Sequence, residues 1–253
     1  MSAALWTMIT SVVVLVLVFA PLERVFPARP GQRALRPELA IDLAFLAGQY
    51  LVFAGVAVGV LQGVHAVVWP LSLGPGEDVL PLWARVALAV MLGDLLTYWY
   101  HRACHRFPWL WRFHAVHHSS EHLDWVAAHR EHPIDGVMTQ LCVNLPGMLL
   151  GLPFAALGGL IVFRGLWAIS IHSNVRVPLG PLRLLLGASD LHHWHHARVV
   201  TRHNFANLAP YLDVVFGTYH RPRGPETYPL GLTEAWPRGY LAQLVRPLRP
   251  GGD

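Results

Sequence analysis

The chain has 253 residues, of which 54% are hydrophobic and only 13% charged, with a formal net charge of +4. All 19 basic residues are arginines spread over loops, so the sequence carries no nucleic-acid footprint. The two cysteines, Cys104 and Cys142, form no C-x-x-C pair, which excludes a zinc ribbon and a disulfide framework.

In chain order, residues 3–20 (AALWTMITSVVVLVLVFA) are uncharged. They are long enough to be a spanning candidate, since a bilayer core of ~30 Å needs ~20 helical residues. No positive charge precedes the run, so it reads as an uncleaved first span rather than a signal peptide. A loop with Arg24, Arg29, Arg33 and Arg36 follows, then a second span over 43–64. The next loop carries Glu77 and Asp78 and no arginine, and leads into a third span over 79–100. The positive-inside rule places the arginine-rich first loop in the cytoplasm, and the third span then delivers His101 to that side.

Residues 136–175 are apolar again, with Arg164 as their only basic group. About forty helical residues reach about 60 Å, enough for two crossings. Pro146, Gly147, Gly151 and Pro153 supply a break, so 136–172 reads as two spans or a re-entrant hairpin. Either returns His172 to the side of His101. Residues 101–135 and 176–253 become cytoplasmic metal-binding and cap regions. The expected fold is a single all-α integral membrane helical bundle over 1–253, with a cytoplasmic-side helical cap carrying a histidine-rich dimetal site.

Sixteen histidines are present, and only His65 lies before His101. HRACH gives His101 and His105. HAVHH gives His114, His117 and His118. HHWHH gives His192, His193, His195 and His196. Positions i, i+3 and i+4 share a helix face. His114, His117 and His118 fit that spacing, as do His192, His195 and His196; His101 and His105 fit as i, i+4. Eight converging imidazoles are too many for one metal of four ligands and suit a pair of metals. His193 points about 100° away from His192 and fits neither repeat. It reads as an interfacial residue, or one supporting a ligand, whose loss keeps the metal. Asp94, Tyr98, His101 and His105 lie within about 60° of one another on the third span. An aspartate there is costly to bury. Asp94, with Tyr98 beside it, is placed to hold the far nitrogen of a ligand histidine; pairing with Arg85 is the competing reading. His65, His122, His203 and His220 read as surface, capping or structural residues. Four tryptophans flank the boxes, Trp109, Trp111, Trp125 and Trp194; they line a substrate path or form an interfacial belt.

The order and spacing of DLLTYWYHRACHRFPWLWRFHAVHHSS, REHP, HSNVRVPLGPLR, DLHHWHHAR and FGTY resemble the fatty acid hydroxylase and sterol desaturase superfamily of membrane oxygenases. The third box follows the second by about 74 residues. The resemblance covers roughly Asp94 to Tyr219. It implies two iron ions held by the boxes, with zinc as a substitute, and adds His132 and His172 as ligands. The stretch NFANLAPYLDVVFGT departs from the family pattern at Phe205, Ala206 and Leu212 but keeps Asn204 and Asp213, which bears on channel shape more than on metal binding.

The resemblance further implies oxygen-dependent hydroxylation or desaturation of a sterol, fatty acyl or related lipid. Imidazole suits iron, and an unactivated C–H bond needs a metal oxidant rather than a side-chain acid or base. No dinucleotide or haem motif is present, so electrons must come from a separate donor protein or reductase. The partners expected are thus a lipid, dioxygen, an electron donor and the membrane, with no nucleic acid. A histidine-rich metal transporter or metal-binding protein is the rival reading. Transporters place ligands near the bilayer midplane, whereas these boxes follow the end of a span. The lack of a K-D-E-L-like signal and the lysine-free composition favour a bacterial inner membrane.

Overall fold

The computed structural model describes residues 2–74, 80–199 and 202–249. The acidic loop residues Glu77 and Asp78, and the expected start of the third span at Val79, lie outside these. Among the described residues the fold is helical, with only two isolated bridges, Pro27 to Val175 and Ala197 to Leu230.

Helix α1 (Ala3–Val25) opens with the Ser2 hydroxyl accepting the Leu5 N–H, which satisfies one of the orphan donors of the first turn. Helix α2 (Leu39–Gly48) continues through a π-turn at Gln49–Phe53 into α3 (Ala54–Val68). Helix α4 (Leu82–Cys104) follows, then α5 (Pro108–His118), α6 (Pro133–Leu149) and α7 (Phe154–His172). Three short helices complete the cap: α8 (Ser189–His195), α9 (Tyr211–Val215) and α10 (Tyr240–Val245).

Four segments are long and apolar enough to cross a membrane: Ala3–Val25, Leu39–Leu71, Leu82–Cys104 and Phe154–His172. The second is longer than the expected 43–64 at both ends and contains the π-turn in its first half. The 136–172 stretch is a helical hairpin of α6 and α7. Helix α6 packs chiefly on α4 and also against α3 and α7, burying Val143, Pro146 and Met148. Gly93 of α4 permits the closest approach: a Cβ there would lie 2.6 Å from the Val143 carbonyl oxygen. Gly151 closes the hairpin with φ +69, a conformation that glycine adopts without a steric penalty.

The C-termini of α1, α4 and α7 and the N-termini of α2 and α6 meet at one end of the bundle. There the α1–α2 loop pairs with the segment after α7: Arg176 N–H donates to the Phe26 carbonyl (2.8 Å) and Ala28 N–H to the Asn174 carbonyl (3.1 Å). The loop arginines are more than topology signals. Arg36 is buried, donates to both carboxylate oxygens of Asp124 (2.8 and 2.7 Å) and pairs with Asp42. Arg130 donates to the other Asp42 oxygen (2.6 Å). Two guanidinium groups and two carboxylates thus neutralise one another in the interior, as buried charges must.

Candidate metal centre

Two groups of imidazoles converge at that end of the bundle. His101, His105, His114, His118 and His195 form one; His117, His172, His192 and His196 form the other. Within each group the candidate ligand atoms lie within 4.8 Å of one another. All eight histidines chosen by spacing are here, and His172 joins them. The helical repeats divide between the groups. On α5, His114 and His118 serve the first and His117 the second, because one residue turns the direction by about 100°. On α8, His192 and His196 serve the second and His195 the first. The groups abut: the His118 and His196 rings stack with centroids 4.2 Å apart.

The backbone fixes which nitrogen faces inward. His101 Nδ1 lies 2.7 Å from the Phe205 carbonyl, His117 Nδ1 3.0 Å from that of Arg130, and His172 Nδ1 2.6 Å from that of Ala168. His195 Nδ1 lies 2.9 Å from the His203 carbonyl, and His114 Nδ1 2.8 Å from an Asp135 carboxylate oxygen. Each of these oxygens can only accept, so each Nδ1 carries the proton and each Nε2 presents a bare lone pair. The consequence is sharpest where His117 and His172 meet. Their Nε2 atoms are 2.9 Å apart with no proton left to share, and His192 Nε2 lies 2.8 Å from that of His172. The Nε2 atoms of His101 and His105 are buried without a hydrogen-bond partner. Converging lone pairs without protons repel unless a cation lies among them, so the donor set fits metal ions.

Electrostatics agrees. Burial pushes His105, His118, His192 and His196 well below the usual histidine range, and neighbouring imidazoles push them further. Burial lowers His117 to about 4 and His195 to about 3. The rings are therefore neutral and ready to coordinate at neutral pH.

Several expected residues sit elsewhere. His132 joins neither group. It is the N-cap of α6: Nδ1 accepts the Ile134 N–H (3.2 Å) and Nε2 donates to the Leu244 carbonyl (3.1 Å). Asp94 does not hold a histidine, nor does it pair with Arg85. It accepts from Arg164 of α7 (2.8 Å), while Arg85 donates to the Gly151 carbonyl (3.0 Å). An ionised guanidinium inside the bundle binds a carboxylate more strongly than a neutral imidazole does. Tyr98 is one layer out, bonded to the Thr218 hydroxyl (2.7 Å) and packed on Phe205, whose ring abuts His101, His105 and His195. His193 is fully buried outside both groups. Its Nδ1 donates to Glu226 (2.6 Å) and its Nε2 faces the His172 carbonyl at 3.3 Å.

Composition and spacing did not single out Asp135, which orients His114, also accepts the Tyr100 hydroxyl (2.6 Å), and lies three residues after His132. The carbonyl supports at Phe205 and Arg130 have no side-chain signature at all. Asn204 and Asp213 hold the Phe205 segment in place. Asn204 takes φ 59, donating to the Leu191 and His220 carbonyls, and Asp213 accepts from the Phe205 and Ala206 N–H groups.

A cavity of about 370 Å³ runs from the spanning helices to the histidine cluster, touching His101 and His114 of the first group as well as the second. Its walls include Phe53, Ala57, Leu61 and Ile161, and His117, His172 and His192 lie at its metal end. The π-turn supplies Gln49, Tyr50 and Phe53. A second cavity, about 320 Å³, reaches His105, His118 and His195 from the cap side past Trp111 and Arg106. Of the four tryptophans flanking the boxes, only Trp111 lines either cavity. Trp125 is buried against α1, Trp109 is exposed, and Trp194 stacks on His220.

Residues 86–218, more than half of the chain, match the fatty acid hydroxylase family. The chain belongs to this family. All nine clustered histidines lie inside the matched region. The ornithine lipid hydroxylase OlsE of Rhizobium tropici is 33% identical over 193 residues, 74% of this chain and 55% of that protein. An alkylglycerol monooxygenase of Danio rerio is 30% identical over 161 residues, 61% of this chain and 35% of that protein. A lathosterol oxidase of Mus musculus is 30% identical over 159 residues, 60% of this chain and 52% of that protein. The chain therefore spans between about a third and just over half of the length of these relatives. No solved structure matches it.

Proposed function

We propose that this fatty acid hydroxylase family member is a membrane di-iron oxygenase that hydroxylates or desaturates a lipid with dioxygen and external electrons. The observation that carries the reading is the junction of an apolar cavity with converging, deprotonated imidazole nitrogens. His101, His105, His114, His118 and His195 would hold one ion, and His117, His172, His192 and His196 the other. The bound ions would supply the oxidant that an unactivated C–H bond requires. Hydroxylation consumes one dioxygen, two electrons and two protons per C–H bond and releases one water; desaturation consumes the same and releases two waters.

The chain's own residues do the rest. The carbonyls of Phe205, Arg130, Ala168 and His203, with the Asp135 carboxylate, hold five rings in the coordinating tautomer. The apolar walls exclude water and take an acyl chain or ring system from the bilayer side. The cap-side cavity offers dioxygen or an electron donor a separate approach. Electrons would come from a separate donor protein or reductase. The arginine-rich loops at the metal end support a cytoplasmic location in a bacterial inner membrane.

Two measurements test this. Purified chain should hold close to two irons, and His195→Ala should lose metal and turnover together. Total lipids from cells with and without the protein should differ by a species shifted by about +16 or −2 mass units, the arithmetic of adding an oxygen or removing two hydrogens. Finding no metal, or normal turnover in His195→Ala, would overturn the proposal.

A further inference from the structure

Glu131 is the only acid among the described residues that line the apolar cavity. It belongs to neither histidine group. Its carboxyl rests over Gly136, where an added Cβ would come 2.7 Å from Oε2. The missing side chain at Gly136 thus makes a niche for the carboxyl. Among the described residues, no cationic side chain pairs with it. Arg164, the only guanidinium among the described lining residues, is already engaged by Asp94 (2.8 Å) and the Val90 carbonyl (2.8 Å). Asp135 is nearby and repels it. Burial and Asp135 push its carboxyl up to about 8, so it is protonated without a cation beside it, and an arriving cation would ionise it and pair with it.

Its place along the chain sets where such a cation would lie. Arg130, the preceding residue, offers the carbonyl that orients His117. Asp135, the residue before Gly136, orients His114. The carboxyl therefore lies at the metal end of the cavity, while Phe53, Leu61 and Ile161 line the rest.

We infer that Glu131 in its Gly136 niche is a binding site for the ammonium group of an aminolipid, setting the charged head at the metal end and the apolar chain toward the bilayer. A hydroxyl or ester head offers the protonated acid only a neutral hydrogen bond; a primary amine offers the ionised acid a charge-assisted one, roughly twice as strong. The inference rests on the reading of the cavity as a lipid site.

The test uses metal-loaded full chain in detergent, an ornithine-containing lipid with a free primary amine, and the same lipid N-acetylated. Binding is followed by native mass spectrometry and oxidised product by mass shift. Wild type should prefer the free amine by roughly tenfold. Glu131→Gln should bind both lipids alike with its metal content unchanged, and Glu131→Asp should keep part of the preference. Gly136→Ala should displace the carboxyl and give the same loss, which decides the matter if Glu131→Gln folds poorly. Equal binding of the two lipids by wild type, or a preference that survives in Glu131→Gln, overturns the inference, as does metal loss in Glu131→Gln. An amine preference without any oxidised lipid would overturn the oxygenase reading and leave the amine site standing. Oxidation of a neutral lipid without an amine preference would do the reverse.

Discussion

Asp135 offers the most quantitative test of how the centre is held. Its carboxylate accepts the His114 Nδ1–H at 2.8 Å and the Tyr100 O–H at 2.6 Å, and it is 1% exposed. Hydrogen bonds to a charged partner contribute about 1.5–3 kcal/mol. Removing a partner that orients a metal ligand typically costs about 10–100-fold in metal affinity, equivalent to about 1.4–2.7 kcal/mol. Asp135→Asn keeps one acceptor oxygen for two donors. If that oxygen faces His114, Tyr100 is stranded and metal affinity should fall by about tenfold, the low end. Asp135→Ala removes both acceptors and frees His114 to place its proton on Nε2. One of the five nitrogens of the first group is then lost part of the time, and affinity should fall toward 100-fold, the upper end. Chelator competition on purified protein measures the affinity, and thermal melting of the metal-free form separates metal loss from unfolding. Wild-type affinity for both ions in Asp135→Ala would refute the orienting role.

His193→Ala should keep both metals but melt earlier, since it removes a charge-assisted hydrogen bond and leaves Glu226 only its pairing with Arg29 at 3.6 Å, a loss of about 1 kcal/mol; loss of metal would place His193 in the centre instead. His132→Ala should also retain both metals and lose the α6 cap and the hydrogen bond to the Leu244 carbonyl, about 1–2 kcal/mol together by melting. Gly93→Ala forces α4 from α6, because the new methyl meets the Val143 carbonyl oxygen at 2.6 Å, and should lower the melting temperature sharply. Gly55→Ala meets nothing within 4 Å and should leave it unchanged or raise it. The metal-free protein should also respond to acid. His117 and His195 are depressed from 6.5 to about 4 and about 3 when folded. The unfolded chain therefore takes up protons first, stability is full above pH 6.5, and it falls as pH drops toward those values. Melting temperatures measured from pH 8 to pH 4 should be level at the upper end and decline at the lower; a rise on acidification would contradict this.

The spacing of HRACH, HAVHH and HHWHH was enough to pick eight histidines that converge, because helical periodicity translates directly into shared faces. It could not show how they divide between two groups, which depends on how α5 and α8 are rotated against each other. The presence of two helices over 136–172 was legible from its length, but the turn falls at residues 150–153, and Pro146 and Gly147 lie inside α6. His132 came from the family resemblance and Asp94 from its helix face; the partners the structure gives them, Leu244 and Arg164, lie far along the chain. Arg36 looked like a solvated topology charge until Asp124 was brought against it. The carbonyl supports at Phe205 and Arg130 are invisible to any residue-type pattern, since every residue has a carbonyl.

The split of adjacent residues on α5 has a consequence for assembly. His117 and His118 are neighbours on the chain but belong to different histidine groups, which on the proposed reading hold different ions. Seating either ion fixes the rotation of the helix about its axis, and so aims the other residue. The entropy of ordering α5 and α8 is then largely spent once, on the first ion to arrive. Half-loaded protein should be scarce at any metal concentration, and loading should follow a curve steeper than that of two independent sites. A single misplaced turn in α5 would disarm both sites together, so the centre is assembled or lost as one unit.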